Sequence, residues 1–245
     1  MLNGLDLFSG IGGISLALKQ WVIPLTYCEI DPYCQGILIN RMYESKLFKS
    51  PIWDDIKTLN GCIYKGSVDI IYGGFPCQDI SIGGNGVGLA GERSGLFFEI
   101  VRLAEEIKPK FIFLENVPAI TCRGGIKVVR EVTELGYDCR WCVVSANEFV
   151  DQDRERWFLL AKSRSMRCEE RPGKDLQQIR ASSINEKPSD YKLSSMERWA
   201  AFAKSVRETD GVPRKVDRIR ALGNAVVPAQ CKKAFEILMG LKSYD

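Results

Sequence analysis

The feature that most constrains this chain is a repeated alternation. Over its first 160 residues, short apolar runs end in glycine or polar loops and are followed by helix-like segments. Leu2–Leu7 closes on Phe8-Ser9-Gly10, and the stretch from Ile14 to Gln20 then reads as a helix. Leu25–Glu29 is a second run, and Val68–Tyr72 a third, closed by Gly73-Gly74. Leu96–Ile107 carries apolar residues at helical spacing, and Phe111–Leu114 follows directly after Pro109. Ile126–Leu135 is helical again, with Gly136 where a left-handed cap belongs. Cys139–Val144 and Trp157–Ala161 read as further strands. Strands alternating with helices predict a mostly parallel sheet covered on both faces, an α/β fold that binds ligands at the carboxyl ends of its strands.

Beyond about Arg164 the pattern lapses. Residues 165–190 are polar, Leu193–Val206 reads as a helix, and from Ile219 the chain resembles core, ending in a helix from Pro228 to Leu241. This layout predicts a catalytic domain at 1–164, a small insertion at 165–213 and a segment at 214–245 that returns to the domain. Between 161 and 220 there are 15 Lys and Arg against 9 Asp and Glu, while the remainder carries 19 against 22. A solvated polar segment and an electrostatic footprint for a polyanion both fit that excess.

Composition matters mainly through one absence. The 245 residues include no histidine, which excludes Ser-His-Asp and Cys-His catalysis and every His-ligated metal. Nine unpatterned cysteines suit reduced thiols and a cytoplasmic setting. No apolar run approaches the roughly 20 residues that span a bilayer. MLNGLDLFSG has no signal-peptide pattern, so neither membrane insertion nor secretion is expected.

The candidate motifs fall at the expected strand ends. Asp6–Gly13 is a strand running into a glycine-rich turn, where a cofactor can approach the backbone and a helix N-terminus favours an anionic group. Glu29 ends the next strand, where a carboxylate can accept both hydroxyls of a ribose. These features suit NAD or any adenosine cofactor, although the glycine spacing departs from the dinucleotide pattern. Gly73–Gln78 puts Cys77 in a loop after a buried strand, with Pro76 fixing the backbone and the glycine-rich 83–88 stretch following like a lid. A lone cysteine is commonly a small core residue, but this position favours a functional one. Glu115 emerges from four apolar residues, an expensive place for a carboxylate without a partner or a role. Arg154 and Arg156, at i and i+2 on an extended segment, share one face. Cys139 and Cys142 have metal-like spacing but sit in a strand, where i and i+3 face opposite sides, so no metal site is expected.

The order DLFSGIGG, Glu29, GGFPCQ, ENV, QDRER and finally Ala221–Pro228 resembles the DNA (cytosine-5)-methyltransferase family over nearly the whole chain outside about 165–210. The resemblance implies a Rossmann-like S-adenosylmethionine-dependent methyltransferase sheet with a small inserted target-recognition subdomain. It also implies methylation of cytosine in double-stranded DNA, in the setting of restriction-modification. Cys77 would attack C6 of a flipped cytosine, and Glu115 would contact N3 and the exocyclic amine. Arg154 and Arg156 would hold Glu115 and the base's O2. Phe8, Gly10, Gly12 and Gly13 would approach the cofactor, and Glu29 would take its ribose. Asp55 would reach the adenine amino group, with Ile30 and Ile56 packed on the ring. Pro76, Leu96 and Asn224 would complete that pocket, and Ser81, Arg93, Arg214 and Lys215 would contact DNA.

The family usually inserts a larger recognition region than the roughly 50 residues available here. A short or degenerate target site, or help from a partner chain or self-association, is therefore expected. A tRNA-directed relative, a catalytically silent DNA-binding homologue and NAD-dependent redox chemistry are the alternatives. The last leaves Cys77 and Glu115 without a role.

Overall fold

A computed structural model describes residues 1–76, 95–150, 153–168 and 225–241. Seven strands form one sheet: β1 (Leu2–Leu7), β2 (Val22–Cys28), β3 (Ile52–Trp53), β4 (Ile70–Gly74), β5 (Phe111–Asn116), β6 (Tyr137–Ser145) and β7 (Glu155–Ser163). Their order across the sheet is β3-β2-β1-β4-β5-β7-β6. Neighbours from β3 through β5 pair in parallel, while β7 runs antiparallel to both β5 and β6. The expected mostly parallel α/β sheet is thus the observed one, with a single reversed strand.

That reversal corrects one expectation. The arginine motif was expected at a strand's carboxyl end, but it lies at the amino end of β7. Because β7 is inverted, pairing Phe158 with Glu115 and Trp157 with Asn116, its amino end reaches the same edge of the sheet as the carboxyl ends of the parallel strands.

Alternation along the strands divides the core in two. Leu5, Leu7, Ile71, Ile112, Leu114, Trp157 and Leu159 face a layer containing α3 (Leu96–Ile107) and α5 (Gly125–Glu134), the latter following the short α4 (Ile120–Arg123). Ile70, Tyr72, Phe113, Phe158 and Leu160 face α1 (Gly13–Leu18) and α6 (Pro228–Met239). A period of two along buried strands gives this segregation directly. Cys139 packs with the first layer and Cys142 with the second, so the pair does not converge.

Most expected elements are present within a few residues, and Gly136 does adopt a left-handed φ of 93° after α5. The sequence reading missed α2 (Pro32–Tyr43), which buries only the narrow stripe Cys34, Leu38 and Met42 and contains Gly36. Its start was nonetheless encoded, because Asp31 caps the Tyr33 N–H at 2.8 Å and Pro32 occupies the first turn. The expected helix over Leu193–Val206 lies outside the described residues, as does most of the 165–213 insertion. Among the described residues no helix is long and apolar enough to cross a membrane.

Candidate active site

At the edge where the parallel strands end, a cavity of about 620 Å³ opens, within the range of small-molecule sites. Its first wall is the turn after β1. Phe8 takes a left-handed φ of 53°, rare for a bulky residue and frequent at functional sites. Ser9 holds this turn in place: its hydroxyl donates to the Asp6 carbonyl at 3.0 Å, and its N–H donates to Cys28. Phe8, Gly10 and Gly13 line the cavity. Gly12 does not. Its φ of 80° and the Leu47 and Leu38 side chains, 2.6 and 3.0 Å from where a Cβ would sit, account for that glycine.

The second wall is Glu29, buried at the end of β2. Its Oε2 accepts the Gly10 N–H at 2.6 Å and its Oε1 accepts the Asp31 N–H at 2.9 Å, while Gln35 secures its carbonyl. Glu29 thus sets a carboxylate against the backbone of the glycine-rich turn. Each carboxylate oxygen has a second lone pair, so Glu29 can still accept two hydroxyls. Ile30, Asp55, Ile56, Pro76 and Leu96 also line the cavity. Ile30 is 69% exposed, an open apolar surface at the rim, and Ile56 is buried. Asp55 uses Oδ1 to cap the Lys57 N–H. Asp31, Cys34 and Asp54 line the cavity without having been expected there.

The third wall carries the charges. Glu115 and Arg156 line the same cavity, and the Arg156 Nε meets Glu115 Oε1 at 2.9 Å with both side chains largely buried. Burial pushes the Glu115 carboxyl up to about 7, against the opposing pull of Arg156 and then Arg154. The physical cause lies underneath. Phe113, two residues before Glu115, stacks on Phe158, two residues after Arg156, with centroids 5.8 Å apart, and Phe235 of α6 meets Phe113 edge-on. That aromatic floor excludes water from the pair, so desolvation outweighs the cations.

Arg154 shares the face of Arg156 but is held differently. Its Nη2 donates to the Ala225 carbonyl at 2.7 Å, and burial lowers its pKa. Of the two arginines expected to hold Glu115 and the base's O2 between them, Arg156 is the one paired with Glu115.

Two glycines make this wall feasible. A Cβ at Gly73 would lie 2.1 Å from the Leu7 carbonyl oxygen, and one at Gly74 would lie 2.6 Å from Glu115 Oε2. Asn116 Nδ2 donates to the Phe75 carbonyl at 2.9 Å, fixing the chain just before Pro76 and Cys77. Cys77 itself lies outside the described residues, as do Ser81, Arg93, Arg214, Lys215 and Asn224.

The family model for C-5 cytosine-specific DNA methylases matches residues 2–210. The type II methyltransferase M.CviJI of Paramecium bursaria Chlorella virus IL3A is 34% identical over 168 residues, covering 68% of this chain and 44% of that protein. M.HhaI of Haemophilus parahaemolyticus is 34% identical over 165 residues, covering 65% of this chain and 48% of its own. The chain thus spans about half the length of the curated relatives it matches. Among solved structures, a DNMT2 mutant of Spodoptera frugiperda superposes with a TM-score of 0.65 over 98% of this chain and all of that one, at 13% identity. A putative DNA modification methyltransferase encoded within an E. coli prophage gives 0.52 at 28% identity, covering 68% of this chain and 48% of that one.

Proposed function

The chain belongs to the C-5 cytosine-specific DNA methylase family, and from that premise we propose that it transfers a methyl group from S-adenosylmethionine to C5 of cytosine in double-stranded DNA. The observation that carries this reading is the continuity of one cavity: Phe8, Glu29 and Asp55 at one end share it with Glu115 and Arg156 at the other.

The residues fit the proposed cofactor. Glu29 would accept the ribose hydroxyls, Asp55 the adenine amino group, and Ile30, Ile56, Leu96 and Phe8 would supply apolar contact. When bound, S-adenosylmethionine supplies an electrophilic methyl group on its sulfonium. The chain's own part begins with removing the base from the stack, at a cost of a few kcal/mol. The Cys77 thiolate would add to C6, making C5 electron-rich enough to take the methyl group. Glu115, near-neutral in its titration, can hold a proton toward N3 while accepting from the exocyclic amine. Arg154 and Arg156 would hold positive charge beside the ring as its electron density shifts, without reorganising at that moment. With no histidine anywhere, activation of the Cys77 thiol would come from nearby positive charge, for which Arg154 and Arg156 are the candidates, or from the substrate. Loss of the C5 proton then allows Cys77 to leave.

Residues 165–213 would form a short recognition region between the catalytic part at 1–164 and the returning segment at 214–245. Ser81, Arg93, Arg214 and Lys215 would contact DNA there and beside Cys77. The likeness to the DNMT2 fold favours neither DNA nor RNA as substrate.

The test is methyl transfer from labelled S-adenosylmethionine to unmethylated duplex DNA, with transfer RNA and a Cys77→Ser variant alongside and bisulfite sequencing of the product. Label at C5 of cytosines in a short repeated context, lost in the variant, is the expected result. Label on RNA alone would reassign the substrate. Cofactor binding without any transfer would point to a missing partner or a silent homologue. Failure to bind the cofactor would overturn the reading. DNA affinity should also fall steeply with salt, in proportion to the phosphates neutralised.

A further inference from the structure

Gln230 is fully buried in the first turn of α6 and lines no part of the cavity. Its Nε2 donates to the Val144 carbonyl at 2.7 Å and to the Arg154 carbonyl at 2.8 Å. Val144 pairs with Arg156 across the β6–β7 ladder. One side-chain amide therefore ties the last residues of β6 to the chain just ahead of β7, at the point where the arginine motif begins. The Arg154 carbonyl also accepts the Ala146 N–H at 2.9 Å, and the Arg154 guanidinium is held by the Ala225 carbonyl. The segment 225–230 thus grips Arg154 by both its main chain and its side chain, across more than 70 residues of sequence.

A glutamine is an expensive way to fill this position. Its Oε1 is buried with no hydrogen-bond partner among the described residues, a cost that an apolar side chain of similar length would avoid. Both amide protons are nevertheless committed to carbonyls that flank the arginines. We infer that Gln230 is a positioning residue for the Arg154–Arg156 pair, its amide cross-linking the ends of β6 and β7 so that both guanidiniums are held beside Glu115. What holds the pair follows from the geometry; what the pair does for the reaction rests on the methyl-transfer reading.

The consequence is electrostatic. Among the described residues, the charged groups acting on Glu115 are Arg156 and Arg154, and from α6 the Cys231 thiol faces the same region, kept neutral by burial. If the cross-link fixes the arginines, loosening it weakens their pull on Glu115 while burial persists. The Glu115 midpoint then rises. A defect in packing alone would leave it where it was, because the aromatic floor is untouched.

The experiment uses the full chain and two variants, Gln230→Met, which keeps length and removes both donors, and Gln230→Glu, which keeps shape and leaves one donor when protonated and none when ionised. Carbon-13 NMR of the labelled glutamate carboxyls, with Glu115→Gln for assignment, follows the Glu115 titration. The expected result is a midpoint raised by about 1 unit in Gln230→Met. Single-turnover methyl transfer should fall about 10-fold, its alkaline limb moving upward with the midpoint, while the cofactor KM stays within about twofold. An unchanged midpoint in folded variants overturns the inference. In the unaltered protein the two Nε2 protons should exchange as slowly as neighbouring strand amides, and fast exchange overturns it even if neither variant folds. If the unaltered protein transfers no methyl group, the reaction assignment falls while the NMR and exchange results still decide the role of Gln230.

Discussion

The two halves of the sheet build their shares of the cavity by different means. From β3 to β4 the strands are parallel, and each delivers its residue locally: Phe8 just past β1, Glu29 past β2, and Phe75 and Pro76 past β4. A motif of six or eight residues there contains both the functional group and the turn that aims it. From β5 to β6 the sheet is reversed at β7, and the charged wall comes from residues far apart. Glu115 meets Arg156 across 41 positions, Arg154 is held by Ala225, and Gln230 supports both strands from α6. The parallel half is a series of self-contained turns, whereas the antiparallel half is a single assembly closed by the C-terminal helix.

Damage to the charged wall should leave the cofactor-facing turns intact. Arg156→Ala and Glu115→Gln should each lower the rate of methyl transfer by about 10²–10³-fold, the scale of lost preorganised charge stabilisation. Cofactor affinity should change by less than about threefold, because neither residue belongs to the turns around Glu29. Isothermal titration beside single-turnover kinetics separates the two effects. Equal losses in both would mean that the cavity is one cooperative unit.

The converse experiment is Glu29→Gln. Two backbone donors, Gly10 N–H and Asp31 N–H, face the two carboxylate oxygens, and an amide would turn one of those contacts donor to donor. The cofactor Kd should rise about 10- to 100-fold, the scale of a lost charge-assisted hydrogen bond. The rate at saturating cofactor should stay close to that of the unaltered protein. A collapse of that rate would place Glu29 in the chemistry rather than in binding.

This division also explains what the sequence disclosed. The glycine turn, Glu29, Pro76 and Glu115 were legible because each sits at the end of an apolar run, and a run's length and closing residues are local properties. The pairing of the arginines on one face was legible for the same reason, from their i, i+2 spacing. The reversal of β7 was not legible, since antiparallel and parallel buried strands read alike. Nor was the differing role of Arg154, which depends on a carbonyl 71 residues away. Gln230 gave no signal beyond membership of a helix. In the sequence, Gly73 and Gly74 mark the close of a strand. The space they leave is needed for the Leu7 backbone and the Glu115 carboxylate, both distant in sequence.

That last point yields a smaller, sharper test. Gly74→Ala would set a Cβ against Glu115 Oε2, at the far end of a side chain that is buried and already paired. The carboxylate must shift away from Arg156 or the strands must separate, costing about 1–3 kcal/mol of stability. Chemical denaturation measures this, and the Glu115 titration shows which of the two gives way. A variant as stable as the parent with an unmoved Glu115 would mean that the wall is softer than its packing implies.

The smallest expected effect compares one buried carboxyl from each half. Asp6 on β1 and Glu115 on β5 are both raised to about 7, chiefly by burial. Glu115 has two arginines opposing that rise, while Asp6 has the hydroxyls of Ser15 and Ser9, with Tyr72 beyond Ser15 and the negative Glu29 adding to the rise. In both cases the folded chain keeps a proton that the unfolded chain has released. The contribution to stability is therefore complete below about pH 4 and lost as pH rises through about 7. Asp6→Asn removes the Asp6 share: it should flatten the fall in Tm between pH 5 and pH 8 and make the variant relatively more stable at the alkaline end. A difference of about 1 kcal/mol, or roughly 2–4 °C for a chain of this size, is expected. Thermal unfolding at four pH values decides it. If the slopes are identical, Asp6 is ionised in the folded state, its charge held by hydroxyls alone, and the parallel half can stabilise a buried anion without the cations that the other half devotes to Glu115.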